Sequence, residues 1–103
     1  MSKITTHILN TASGRPEAGV AVTLEFAGQC VAQGVTDTDG RARNLLPPGH
    51  QLAPGLYCLR FDTAAVSPFF PEIEIRFRIQ NPEQHHHVPL LLSPYGYTTY
   101  RGS

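Results

Sequence analysis

The sequence predicts an all-β sandwich, and three observations carry that prediction. Short stretches such as Val20 to Phe26 and Glu72 to Ile79 alternate apolar and polar residues, glycine and proline turn signals fall between them, and no long amphipathic helical pattern occurs in the 103 residues. The punctuation separates roughly seven or eight strands, as in a two-sheet sandwich. One domain over residues 1–103 is expected, because a chain of this size buries roughly two-thirds of the surface its unfolded form exposes, enough for one core.

Ile4 to Leu9 is the first strand, with Ile4, Thr6 and Ile8 on one face and Thr5, His7 and Leu9 on the other. If the isoleucines face the core, His7 faces away from it. T-A-S-G-R-P-E-A-G follows as a loop bent at Gly14, Pro16 and Gly19. Val20, Val22, Leu24 and Phe26 form the core face of a second strand, and Ala27-Gly28-Gln29 links it as a hairpin to a third around Cys30 to Thr36. Asp39-Gly40 then makes a tight turn, since glycine tolerates positive φ and aspartate bonds nearby N–H groups. Arg41 therefore projects from a fixed point.

Asn44 to Gly55 reads as a loop and Leu56 to Phe61 as a strand. Thr63-Ala64-Ala65-Val66 has room for one helical turn before Pro68 and Pro71 stop it. Glu72 to Ile79 follows, with Ile73, Ile75, Phe77 and Ile79 inward and Glu72, Glu74, Arg76 and Arg78 on a solvated face. After the Asn81-Pro82 turn a strand runs from His85 to Ser93, and Ser93-Pro94-Tyr95-Gly96 turns into a last strand, Tyr97 to Tyr100.

The formal net charge is zero, so nothing in the total points to nucleic acid or an anionic membrane. No apolar stretch approaches the roughly 20 residues of a membrane helix, and the start M-S-K-I-T-T-H lacks the apolar core of a secretory signal. A soluble cytoplasmic protein is expected. Cys30 and Cys58 form no C-x-x-C pair and are expected as small buried side chains in a reducing compartment.

Chemistry concentrates at the carboxyl end. In the strand from His85, the face carrying Val88, Leu90 and Leu92 belongs to the core, so His86 joins that side and His85 and His87 stand together opposite it, about 6.6 Å apart along the strand. Tyr95, Tyr97, Tyr100, Arg101 and the terminal Ser103 follow. A pair of imidazoles on one strand face also suits zinc, with His7 or His50 as a third ligand. That is the competing chemistry.

Three stretches, T-H-I-L-N-T, T-D-T-D-G-R and H-x-H-V-P-L-L-L-S-P-x-x-Y-x-T-Y-R-G-S, resemble the 5-hydroxyisourate hydrolases, the transthyretin-related proteins. The Y-R-G-S ending is the mark that separates those enzymes from transthyretin, the hormone carrier of the same fold. The resemblance spans nearly the whole chain. It implies an eight-stranded, transthyretin-like two-sheet sandwich assembling as a homotetramer, a dimer of dimers, with active sites in the channel between dimers. It also implies hydrolytic opening of 5-hydroxyisourate to 2-oxo-4-hydroxy-4-carboxy-5-ureidoimidazoline, a step in urate breakdown toward allantoin.

Carried over by position, the resemblance makes His7, Arg41, His87 and Ser103 the catalytic set, and His7, Arg41, Tyr100 and Arg101 the substrate contacts. These residue types suit the reaction. Amide hydrolysis needs an activated water, a stabilised oxyanion and a proton for the leaving nitrogen. Imidazoles exchange protons near neutral pH, and a guanidinium offers planar cationic donors to a purine-like ring. The scheme requires no metal or organic cofactor. Three departures stand out: Asn10 where the family usually has aspartate, His86 where it usually has an aromatic residue, and a short segment before Glu72 in which the family's helix is reduced or absent.

Overall fold

The alternation of apolar and polar residues sorts the chain into two sheets packed on one core. The computed structural model describes residues 2–103. Its strands are β1 (Ile4–Asn10), β2 (Arg15–Pro16), β3 (Ala21–Phe26), β4 (Gln29–Val35), β5 (Arg41–Ala42), β6 (Gly55–Asp62), β7 (Glu72–Ile79), β8 (His86–His87), β9 (Leu90–Ser93) and β10 (Gly96–Thr99). One sheet is the antiparallel ladder β4-β3-β6-β7. The other has the path β10-β9-β1-β2, with β5 and β8 also paired to β1. The excess over about eight strands comes from the two-residue elements β2, β5 and β8. Among the described residues, no helix is long and apolar enough to cross a membrane.

The core forms where the inward faces meet. Ile4 and Ile8 of β1, Val22 and Leu24 of β3, Leu59 and Phe61 of β6, Ile73 and Ile79 of β7 and Leu90 and Leu92 of β9 are all buried. Each such side chain contributes about 1.5–3 kcal/mol relative to exposure. The outward face of the ladder carries the charges expected of β7, ordered by one residue. Arg60 of β6 makes ion pairs with Glu25 (2.9 Å), Glu72 (3.3 Å) and Glu74 (3.3 Å).

Two turns explain how the strands enter register. Phe26 pairs with Gln29, leaving Ala27 (φ 53°) and Gly28 (φ 77°) as a two-residue hairpin with both central residues at positive φ. Gly40 (φ 73°) lies so close to β1 that a Cβ there would sit 2.6 Å from the Ile8 carbonyl oxygen. Only glycine fits, and the Ile8 N–H donates to the Gly40 carbonyl at 2.8 Å. The Asp37 carboxylate accepts from the N–H groups of Asp39 and Arg41, which holds the turn from its other side.

Several expectations change. The single strand from His85 to Ser93 is divided into β8 and β9, with Val88 and Pro89 between them; proline has no N–H to donate to a ladder. The assignment of faces survives the break, since His86, Val88, Leu90 and Leu92 are buried. Cys30 is exposed on the ladder rather than buried, while Cys58 is buried as expected. The segment after β6 makes one turn, its Val66 and Ser67 N–H groups donating to the Thr63 carbonyl at 3.0 and 2.9 Å.

Candidate active site

The site is built around β1, whose two edges bring together segments far apart in sequence. On one edge β5 runs antiparallel, with His7 opposite Arg41. The Ile8 to Gly40 hydrogen bond makes His7 and Arg41 a pair without hydrogen bonds of its own, the arrangement in which facing side chains come closest, with Cα atoms about 4.5 Å apart. On the other edge β8 runs parallel, with Thr5 beside His87. Thr5 and His7 are two apart on one strand, so Arg41, His7, Thr5 and His87 share the sheet face turned away from the core.

Thr5 is buried and its hydroxyl oxygen lies 2.8 Å from His85 Nε2 and 2.8 Å from His87 Nδ1. The two rings stack with centroids 6.3 Å apart and planes 24° from parallel. The chain terminus fixes the other side of His87. Gly102 forms an antiparallel bridge to it, the Gly102 N–H donating to the His87 carbonyl at 2.7 Å. A Cβ on Gly102 would approach His87 Cδ2 to 2.5 Å, so the imidazole rests against bare backbone.

Burial and nearby positive charge disfavour protonation of the His7 and His87 rings. Burial pushes His87 below the ordinary histidine value, and the positive charge of Arg41 and the neighbouring His85 and His7 push the same way. His7 is lowered first by burial and then by Arg41, against the Asp39 carbonyl and the carboxylates of Asp39 and Asp37. The site thus sets two imidazoles on which charge is disfavoured beside one guanidinium. Such a group of side chains can accept a proton from water and stabilise an anion.

Among the residues singled out from sequence, His7, Arg41 and His87 come together, and Ser103 follows the glycine that contacts His87. Tyr100 and Arg101 lie around a separate cavity of about 240 Å³, with His86, Val88, Ile75 and Phe77. Arg101 donates to Gln84 Oε1 at 3.3 Å. The zinc set is not assembled: among the described residues, the one group of three possible ligands within reach of a single ion is Glu25, Cys58 and Glu74 on the ladder. His50 belongs instead to a loop cavity with Lys3 and Glu83. Asn10, the first departure, is committed to the β1–β2 turn, donating to Glu17 at 2.9 Å and accepting from the Ala12 N–H at 2.9 Å. His86 is buried toward the core with its Nδ1 unpartnered.

Thr5 and Gly102 were not among the sequence candidates. Period-two alternation already put Thr5 on the face of His7, but a threonine in a strand reads as ordinary β-propensity. Gly102 was visible only as a letter of Y-R-G-S.

Comparison with known proteins bears on the whole chain. A 5-hydroxyisourate hydrolase of Caulobacter vibrioides is 48% identical to it over 100% of both chains. The solved structure of a Klebsiella pneumoniae 5-hydroxyisourate hydrolase superposes with a TM-score of 0.84 at 36% identity, covering 97% of this chain and 98% of that one. A sea bream transthyretin in complex with thyroxine superposes equally well, TM-score 0.84 at 33% identity, covering 98% and 95%. The profile of the HIUase/Transthyretin family matches residues 4–102, and the chain belongs to that family.

Proposed function

We propose that this chain is a 5-hydroxyisourate hydrolase, opening the six-membered ring of 5-hydroxyisourate at a cyclic amide to give 2-oxo-4-hydroxy-4-carboxy-5-ureidoimidazoline in urate breakdown. The observation that carries the reading is the convergence of His7, Arg41 and His87 on one open sheet face. The hydrolase relative at 48% identity supports it.

In the proposed mechanism His87, assisted by His7, takes a proton from water as its oxygen attacks the ring carbonyl. Arg41 holds the ring and the developing oxyanion, a charge that a fixed cation stabilises. The imidazole that received the proton returns one to the leaving nitrogen as the C–N bond breaks. Ser103 is proposed to hydrogen-bond water or substrate beside His87. Tyr100 and Arg101, although they line the separate cavity, are proposed as substrate contacts, so substitution of either is expected to raise KM more than it lowers kcat. The scheme uses no cofactor.

Residues 1–103 are proposed to act as one domain within a cytoplasmic dimer of dimers, the site facing the channel between dimers. Two edge strands, β7 in the ladder and β10 in the other sheet, remain available for pairing with further copies.

The transthyretin likeness favours a second reading, a carrier that binds an aromatic ligand without reaction, because overall fold similarity does not separate the two. Adding protein to freshly made 5-hydroxyisourate and following absorbance, with the spontaneous decay subtracted, decides between them. Hydrolysis predicts accelerated loss that survives a chelator. Binding with no acceleration would overturn the enzymatic reading.

A further inference from the structure

The contact that the proposed mechanism leaves unused is the Thr5 hydroxyl between two imidazoles. One oxygen stands 2.8 Å from His87 Nδ1 and 2.8 Å from His85 Nε2. A hydroxyl carries one proton and two lone pairs, so it can accept from one ring while donating to the other. His87 is half-buried, Thr5 is buried, and His85 is exposed. The three groups therefore form a line of hydrogen bonds from the reacting face to solvent.

We propose that Thr5 and His85 form a proton relay behind His87, and that the solvent-exposed His85 holds the proton between the two steps of the reaction. This inference rests on the hydrolytic reading above and deepens it. In the competent arrangement His87 Nδ1–H donates to Thr5 Oγ1, and Thr5 Oγ1–H donates to His85 Nε2. That leaves His87 Nε2 with a free lone pair.

When water attacks the carbonyl a C–O bond forms, and the water proton goes to His87 Nε2. The Nδ1 proton passes to Thr5 and the Thr5 proton to His85, which becomes the imidazolium while His87 stays neutral. On collapse of the intermediate the C–N bond breaks and His87 Nε2–H passes to the leaving nitrogen. The relay runs back from His85 to restore Nδ1–H. No proton is gained or lost by the protein over the cycle.

The advantage lies in where the charge rests. An imidazolium at His87 would sit partly buried beside Arg41 and His7, which disfavour it. At His85 the same charge is hydrated. Thr5 on this account is a positioning and relay residue, since its hydroxyl bonds the two rings.

The test uses the full-length protein and freshly made 5-hydroxyisourate in dilute, poorly proton-accepting buffer. Wild-type acceleration over spontaneous decay is measured first; its absence would sink the hydrolytic reading and the relay with it. With wild type active, Thr5→Val should lower kcat about tenfold or more with KM within about twofold, within the range of acid–base effects. Thr5→Ser should recover most of that loss. His85→Gln, at an exposed position, should show a similar loss that added imidazole buffer restores, whereas Thr5→Val should not respond to the buffer.

A kcat unchanged in His85→Gln overturns the relay while leaving hydrolysis intact, even if Thr5→Val is inactive; Thr5 would then only hold His87. Loss in His85→Gln without recovery by buffer also overturns it, since an exposed proton acceptor is replaceable from solution.

Discussion

The two sheets differ in construction. The ladder β4-β3-β6-β7 is wholly antiparallel, and β6 and β7 pair over all eight residues from Gly55↔Ile79 to Asp62↔Glu72. In the other sheet β1 pairs with four different strands, two antiparallel and two parallel, three of them only two residues long. Long strands in one register make a scaffold that resists deformation. Short partners along one strand bring residues 7, 41, 87 and 102 side by side. On this contrast the ladder bears stability, and the fragmented sheet assembles the side chains proposed for the chemistry.

The largest effects should cross over between the sheets. His87→Ala or Arg41→Ala is expected to lower kcat/KM by a factor of about 10² to 10⁴, the range of positioned acid–base and oxyanion groups, with little change in denaturation midpoint. Phe61→Ala, deep under the ladder, is expected to cost about 3–5 kcal/mol of stability, while the fraction that stays folded keeps near-normal turnover. Urea titration beside the turnover assay measures both. If Phe61→Ala lost activity while remaining fully folded, or His87→Ala unfolded the protein, the division of labour would be wrong.

The same contrast governs what sequence could reveal. The ladder was legible because β7 alternates for eight residues, so that every second side chain reports its own burial, while β6 reads as a strand from its short apolar run. β5 and β8 are too short for any period to appear, so Arg41 and His87 were found through neighbouring motifs rather than through strand pattern. The break at Pro89 was hidden because the buried face of Val88, Leu90 and Leu92 continues through it. Cys30 was misread because cysteine is so often buried, whereas its exposure follows from lying on the outward face of an edge strand. Thr5 and Gly102 depend on tertiary contacts with residues more than ten positions away, and no local signal carries that.

A smaller effect is expected at the joint between the tail and β8. Gly102→Ala would put a methyl group 2.5 Å from His87 Cδ2, so the ring must rotate away and break its bond to Thr5, or the tail must lift. Displacement of a reacting group by about 1 Å can cost up to roughly 10²-fold, and a loss of about tenfold to 10²-fold in kcat is expected at nearly normal stability. Tail lifting and ring rotation are separable. Deleting Ser103 tests the end of the tail alone, while the histidine resonances of Gly102→Ala report ring movement. Full activity in Gly102→Ala would mean that the packing of His87 on bare backbone has no part in turnover.

The smallest effect is the pH dependence of stability, and it too should belong to one sheet. His7, His86 and His87 are each held below the ordinary value of 6.5, by burial first and then by positive neighbours: Arg41 for His7 and His87, Arg101 for His86. The ladder strands contain no histidine. Between each depressed value and 6.5 the unfolded chain binds more protons than the folded one, so stability rises with pH through that window. Their contribution is complete above about 6.5 and is lost as pH falls through the folded values. Asp37 is also depressed, first by its hydrogen bond from the Arg41 backbone, but from 3.8, so it acts in a more acidic range. Denaturation midpoints between pH 5 and 8 should therefore fall on acidification, and His86→Phe should make the slope shallower by removing one buried imidazole. A profile that is flat, or that rises as acid is added, would mean that these imidazoles are not held neutral by the fold.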